Sequence, residues 1–574
     1  MSDPASRDCD LVVVGSGAAG LSTAVTAAFL GLDVIVLEKH TQIGGATAWS
    51  GGWMWIPRNP LAVEAGIVED VSAPRAYLEA ELGEFFDSAR IDAFLEQGPK
   101  MVAFHRDHTS LDFIDGNGIP DFHDRAPYAG RGGRSVCAAP FDGRALGKDV
   151  HRLREPLDQV SPFGMGVASG ADFRHFLDAT RKWASFLYAA RRVTRHLAEA
   201  AIYGRGLWLV GGNALAGALF KSARDLGVEV VTDADAKAPL VDHGRVVGVR
   251  LADGREFRAR RGVVLAGGGF PHDRARMSQL FPRAPTGREH WSAAPDENTG
   301  DAMRLGEAAG GVVGRELSHA GAWVPVSLST RRDGSLARFP HLFERAKPGL
   351  IMVTRFGKRF ANEADSYHDV MQGLFATLPQ DEPAEAWLIC DHDFQRRYGL
   401  GRTRPRPFPI TPWLKRGYLQ RGATLAELAA TCGIDAAGLA ATVATFNNGA
   451  REGRDDEFHR GDSPYNKVQG DSEHKPNPCV APILRAPFYA VKILAGSLGT
   501  FSGLETDASA RALDASGQPI EGLYAVGNDA DSLMGGHYPA GGITLGPAMT
   551  FGYIAAHHAA GVPLDNNRKG AARA

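Results

Sequence analysis

Three glycines in a strand–turn–helix context constrain this chain more than any other feature. Residues 11–38 read LVVVGSGAAGLSTAVTAAFLGLDVIVLE. That is an apolar run (Leu11 to Val14), the pattern Gly15-x-Gly17-x-x-Gly20, a helix of small and apolar residues, and a second apolar run (Asp33 to Leu37). Short continuous apolar runs suit parallel strands covered on both faces. Gly15 permits a tight turn, Gly17 lets the backbone approach a pyrophosphate, and Gly20 lets helix and strand pack closely. The phosphates, contacted also at Ala18 and Ala19, then rest on the helix N-terminus, where unpaired N–H groups and the dipole favour anions. Glu38 ends the second strand 18 residues beyond Gly20, where a carboxylate can accept both hydroxyls of a ribose. The expectation is an α/β chain with a Rossmann-type dinucleotide site.

The residues beyond Glu38 favour FAD over NAD. Lys39, then Gly44, Gly45, Ala46 and Thr47, then Ser50, Gly51 and Gly52, offer small residues and hydroxyls for a second contact along an elongated cofactor. Near the C-terminus, Gly527 and Asn528 follow a strand and are expected at the ribitol. Gly542 to Leu545, with Thr544, open the last helix and place N–H groups at the flavin N1–C2=O edge, which carries negative charge when the flavin is reduced. Ala236, Gly267 and Gly268 complete the expected cofactor set.

At 574 residues the chain exceeds one ordinary domain. Its 69 glycines are scattered through structured segments, as tight turns and close approaches require. A formal net charge of −3 gives no reason to expect nucleic acid. The five cysteines make no CxxC or Cys/His spacing, so free thiols in a cytoplasmic setting are expected, with no disulfide framework and no metal. The start, MSDPASRDCD, is no signal peptide, and no stretch reaches the length of a transmembrane helix. A second α/β stretch runs from Gly211 to Gly269, with a hairpin turn at Asp253-Gly254. After Phe270 the texture changes. The predicted organisation is a FAD-binding domain in two parts, residues 1–275 and 485–574, around an inserted α+β capping domain at 276–484. The basic helix around Arg191, Arg192 and Arg195 reads as a solvated face, and the polar tail after Pro563 as frayed.

The order of GSGAAG, IGGATAWSGG, AGGGF, NTGDAMRLGEAAGG, RFANEADSY and GLYAVGNDADSLMGGHYPAGGITLGPAMTFGY resembles the fumarate reductase/succinate dehydrogenase flavoprotein superfamily. Within it the chain is most similar to the 3-ketosteroid 1-dehydrogenases, from about Leu11 to Ala560. That resemblance implies desaturation beside a ring ketone, with hydride passing to flavin N5 and electrons leaving to an external acceptor. It implies that Tyr538 and the Gly542 N–H, in Tyr-Pro-Ala-Gly-Gly, hold the ketone oxygen of a small-molecule substrate. It implies that Tyr367, in NEADSY, is the base that removes the α-proton. It also implies FAD without a covalent bond, because covalent members use a His in the segment that here reads QIGGATAWSGG.

One position departs from the family. A supporting tyrosine is expected where PDFHDRAPY has Phe122, and Tyr128 is the nearest substitute. Trp53, Trp55 and Phe122 are expected to line the substrate pocket. Other readings are a 3-ketosteroid 4-dehydrogenase or a desaturase of another cyclic ketone, a fumarate-reductase-type enoate reductase, and a non-enzymatic flavin sensor. The second lacks its carboxylate clamps here, apart from His537, and the third has no use for a Tyr538/Gly542 pair.

Overall fold

The computed structural model describes residues 6–331, 333–380 and 382–565. The tail expected to fray lies outside the described residues from Asn566 on. The first sheet has a parallel core whose spatial order is Glu229–Val231, Val34–Leu37, Ser6–Val14, Glu256–Leu265 and Pro519–Ala525. Val12, Val13, Val36, Val263 and Val264 are fully buried there, which is why these strands read as unbroken apolar runs. The expected hairpin forms between Arg245–Leu251 and Glu256–Leu265. Its second arm and the buried strand expected after it are one continuous strand.

The helices Ala18–Phe29, Gly211–Asp225 and Leu545–Ala560 bury their apolar residues in one core against this sheet. The first and last approach so closely that a Cβ on Gly552 would lie 2.8 Å from Ala19 O. Glycine is required at that contact.

The second sheet has seven strands. Its centre is Phe488–Thr500, antiparallel to Gly321–Thr330 on one side and Glu385–Cys390 on the other. The expected return to the FAD-binding domain at 485 is therefore too early, since this strand belongs to the inserted half. An apolar run such as FYAVKILAG fits either sheet, and only its non-local pairing decides between them. The other boundary is also crossed: Asp301–Ala308, from within the expected insertion, buries Ala302 and Leu305 against the first sheet. The helical pair expected near residue 430 forms as Leu425–Cys432 and Ala436–Ala450.

The basic helix is Trp183–Tyr203, and its solvated face is a correction. Arg192 donates to Asp172 at 3.0 Å and Arg195 to Glu199 at 2.8 Å. Both carboxylates are buried, so these arginines turn toward the protein, and Arg191 alone of the three is exposed.

Candidate active site

The dinucleotide loop has no room for a side chain at Gly15 or Gly20. Gly15 has φ +111°, and a Cβ there would lie 2.2 Å from Ala266 O. At Gly20 a Cβ would lie 2.0 Å from Gly15 O. The helix Ala18–Phe29 starts at Gly17 without a side-chain cap of its own. Thr47 Oγ1 accepts from the Ala18 N–H at 2.9 Å, which ties the second glycine loop to the first. The N–H groups of Ala19 and Gly20 have no acceptor among the described residues.

Glu38 is held in place by Ser16, whose N–H and hydroxyl reach one carboxylate oxygen at 3.1 and 2.6 Å. The His40 N–H reaches the other at 2.9 Å. Lys39 points elsewhere, with its ammonium engaged by Asp301 and by Thr299 Oγ1. In the second loop, residues Gly45 and Ala46 lie in the short helix Gly45–Trp49, and Ser50 turns its hydroxyl back to Thr47 O at 2.8 Å. Gly51 continues to Gly52, where a Cβ would lie 2.5 Å from Gly211 C. Ala236 opens a strand and is buried in the sheet's core.

The two chain ends meet at this loop. Gly527 lies against Ala19, so that a Cβ on Gly527 would lie 3.0 Å from the Ala19 Cβ. Asp529, which follows Asn528, is fully buried and accepts the N–H groups of Gly267 and Gly269. Gly268 O accepts from the Asn298 amide at 3.2 Å. Burial pushes Asp529 up to about 6, although those backbone donors pull it down. Sequence reasoning missed Asp529; its place in GLYAVGND, directly after two expected cofactor residues, was the available signal. At the closing helix, Thr544 gives no side-chain cap, and the N–H groups of residues 542–545 have no acceptor among the described residues. Leu545 is the first helical residue.

Tyr538 and Gly542 are held by their own loop. Pro539 O accepts from Tyr77 Oη at 2.7 Å and from the Phe122 N–H at 2.9 Å. Gly542 O accepts from the Trp55 N–H at 3.1 Å, and a Cβ on Gly542 would lie 2.7 Å from Trp55 N. Tyr367 arrives from the other half of the molecule, as the first residue of the helix Tyr367–Thr377. Ser366 caps that helix, and Val370, Met371 and Leu374 bury it against the second sheet.

The rings of Tyr367 and Tyr538 meet edge to face at 5.0 Å and 78°. Their hydroxyls influence each other, and Thr544 is a further polar neighbour of Tyr538. Burial, with Tyr538 beside it, raises Tyr367 well above a free phenol. Burial also pushes Tyr538 up to about 12, against the pull of Tyr367 and Thr544.

Phe122 stands beside both, stacked on Tyr538 at 5.8 Å and 8°, and 6.2 Å from Tyr367. Tyr128 is no substitute for the missing hydroxyl: it is 65% exposed on a surface loop. The hydroxyl beside Phe122 belongs to Tyr465, whose ring lies 4.4 Å away. Tyr465 sits on the short helix Pro464–Gln469, tied to the Tyr367 segment through Asn466, which bonds Asn362 and Asp365 at 2.9 Å each. No sequence signal separated Tyr465 from the other tyrosines, because only this long-range tie brings it in. Burial raises Tyr465, and the guanidinium of Arg345 opposes that rise at both Tyr465 and Tyr367. Arg345 is fully buried and, among the described residues, donates only to backbone carbonyls, including Glu363 O at 2.6 Å.

His123, next to Phe122, is clasped between Glu81 and Asp369, the latter at 2.8 Å. Burial would lower its pKa, but the hydrogen bonds and charges of Asp369 and Glu81 outweigh it and raise His123 to about 10. Trp53 lies apart from this cluster, with its indole N–H on Ser169 Oγ at 2.7 Å. Trp55, expected in the pocket, is fully buried core, stacked on Phe94 and donating to Asp121 at 2.9 Å.

The model of a FAD binding domain family matches residues 10–545. The chain belongs to this family. A 4-oxocyclohex-2-ene-1-carboxylate 5-dehydrogenase of Sinomonas cyclohexanicum is 39% identical over 95% of this chain and 93% of that protein. A 3-oxosteroid 1-dehydrogenase of Mycobacterium tuberculosis is 38% identical over 96% of this chain and 98% of that protein. A solved 3-ketosteroid delta1-dehydrogenase of Sterolibacterium denitrificans, in complex with 1,4-androstadiene-3,17-dione, superposes with a TM-score of 0.88. It is 35% identical and covers 96% of this chain and 99% of its own. The cofactor is FAD, and the chain is an oxidoreductase. The residues present fit FAD: two helix starts keep free N–H groups, and Gly15, Gly20 and Gly542 beside them admit no Cβ.

Proposed function

We propose that this protein introduces a carbon–carbon double bond beside a ring ketone, with Tyr538 and the Gly542 N–H as the ketone site and Tyr367 as the base. The observation that carries this reading is the meeting of Tyr367, from the helix on the second sheet, and Tyr538, from the loop before the last helix, four residues from the unpaired Gly542 N–H. Two donors on a ketone oxygen stabilise the enolate-like charge that develops as the α-proton leaves. Bound FAD supplies the two-electron acceptor for the β-hydride. Tyr367 must lose its proton to act, and burial alone opposes that. Arg345 supplies the opposing charge, and Tyr465 supplies the supporting hydroxyl that Phe122 cannot. The proton passes to Tyr367 and leaves through its polar neighbours.

The substrate is a cyclic ketone of one of two kinds, a 3-ketosteroid or an oxocyclohexane carboxylate, as the names of the two similar dehydrogenases suggest. An external acceptor reoxidises the flavin. The flavin is non-covalent: His40, the histidine closest to the expected attachment segment, is turned to Glu297 at 3.2 Å. Acid precipitation should leave yellow flavin in the supernatant. No described helix is long and apolar enough to cross a membrane. The five free cysteines support a reducing, cytoplasmic setting.

The test is anaerobic bleaching of the bound flavin by a panel of 3-ketosteroids and oxocyclohexane carboxylates. One kind should bleach it rapidly. A flavin that no cyclic ketone bleaches would end this reading.

A further inference from the structure

Aromatic rings from the first part of the chain meet the unit built on the second sheet along a seam. Phe122 touches Tyr367 and Tyr465 there. Phe173 faces Phe343 with ring centroids 6.4 Å apart, and Phe163 faces Phe408 at the same distance. These last four rings are open to solvent, from 38% at Phe173 to 61% at Phe163. Phe343 precedes the short helix Glu344–Ala346, which carries Arg345, and the charge of Arg345 reaches Tyr367 and Tyr465.

Arg404 stands in the open stretch of that seam without a counter-charge. Its guanidinium lies 5.8 Å from the Phe163 ring and 5.4 Å from the Phe408 ring. It is partly buried, and among the described residues no carboxylate or carbonyl pairs with it. Burial lowers its pKa, and the charge beside it is a second cation, Arg402, which lowers it further. Arg402 gives Nη1 to Ser329 Oγ at 3.0 Å and stands 3.9 Å from Asp158, which Arg331 holds at 3.2 Å. Other arginines of this unit are matched: Arg338 by Asp296, and Arg397 by Asp178 and Asp471. The turn that carries Arg404 also packs toward the ketone site. A Cβ on Gly401 would lie 3.0 Å from His341 Cε1, and His341 O accepts from Arg345 Nε at 2.7 Å.

We propose that Arg404 receives a carboxylate of the substrate, at the outer end of a cleft whose inner end is the Tyr538 and Gly542 ketone site, so that the substrate is a cyclic ketone acid. This rests on the ketone-desaturase reading above. A guanidinium offers a carboxylate two parallel N–H donors. The Phe163 and Phe408 rings hold it by cation–π contact, and no group of the chain takes those donors. A neutral ketone would cover this cation without pairing it, which is unfavourable. A carboxylate held outside also fixes which end of the substrate enters first, and the ketone leads.

The experiment measures anaerobic flavin bleaching by 4-oxocyclohexanecarboxylate and by its methyl ester. It is repeated with a 3-ketosteroid that carries a side-chain carboxylate and with the ester of that acid, so that the two pairs separate a short substrate from a long one. In at least one pair the acid should reach half-maximal rate at a concentration about tenfold or more below that of the ester. High salt should narrow the gap. Arg404→Met should erase the preference, and Arg404→Lys should keep part of it, because an ammonium lacks the paired donors. The proposal is overturned if wild type treats acid and ester alike in both pairs. It is equally overturned if Arg404→Met keeps the whole preference, or weakens acid and ester by the same factor, as a structural role would. In those three outcomes ketones still bleach the flavin and the desaturase reading stands. A flavin that none of the four compounds bleaches overturns both.

Discussion

The first sheet and the second serve the site by different physical means. Around the first, the contributors are backbone groups: helix starts without side-chain caps at Gly17 and Thr544, and glycines too crowded for a Cβ. Around the second, they are side chains on helices that the sheet anchors, with Tyr367 fixed by Val370 and Met371, and Tyr465 fixed by Asn466. On the proposed assignment, a cofactor of constant shape is held by backbone, which substitutions hardly alter. On the same assignment, the reacting groups of a substrate are met by side chains, which can change one at a time. Damage to the first region should therefore abolish cofactor binding, and damage to the second should slow chemistry while the flavin stays.

Gly15→Ala tests that contrast most severely. The added Cβ meets Ala266 O at 2.2 Å in a backbone conformation with φ +111°. The protein should purify without flavin, read by its visible absorbance, and a fully yellow variant would break the comparison. Next comes the base. Tyr367→Phe should keep its flavin, while anaerobic reduction by a reactive ketone falls by about 10²–10⁴-fold. Tyr538→Phe should lose one of two oxyanion donors and about 10²–10³-fold in the same assay. Wild-type rates in both would place the chemistry elsewhere.

Tyr465→Phe sharpens the comparison. If the Tyr465 hydroxyl supports the base, its loss, worth about 1–1.5 kcal/mol, should slow reduction about tenfold. Its flavin should be unaffected, and an unchanged rate would leave Arg345 as the support for the base. The smallest effect concerns His123. Its folded pKa of about 10 exceeds the ordinary 6.5, so its stabilisation is complete below pH 6.5 and is lost as pH rises toward 10. Thermal melts across that window should show a decline that His123→Gln flattens. An equal decline in the variant would assign it to other groups.

The sequence by itself determined the cofactor frame. Gly15, Gly17, Gly20 and Glu38 lie within one strand–turn–helix–strand stretch, so their geometry follows from local conformation and close packing over short chain distances. The proposed roles of Tyr367, in NEADSY, and of Tyr538 and Gly542, both in Tyr-Pro-Ala-Gly-Gly, rest on motif resemblance. Tertiary structure alone decided the rest. It moved Phe488–Thr500 into the second sheet, because a largely apolar strand carries no mark of its partner. It put Tyr128 in solvent and Tyr465 beside Phe122, because a hydroxyl's neighbours depend on contacts between segments hundreds of residues apart. It also turned Arg192 and Arg195 inward and left Trp183 outside. Helical periodicity gives two faces, but which face meets the protein depends on buried partners such as Asp172 and Glu199, and those come from the packing of the whole chain.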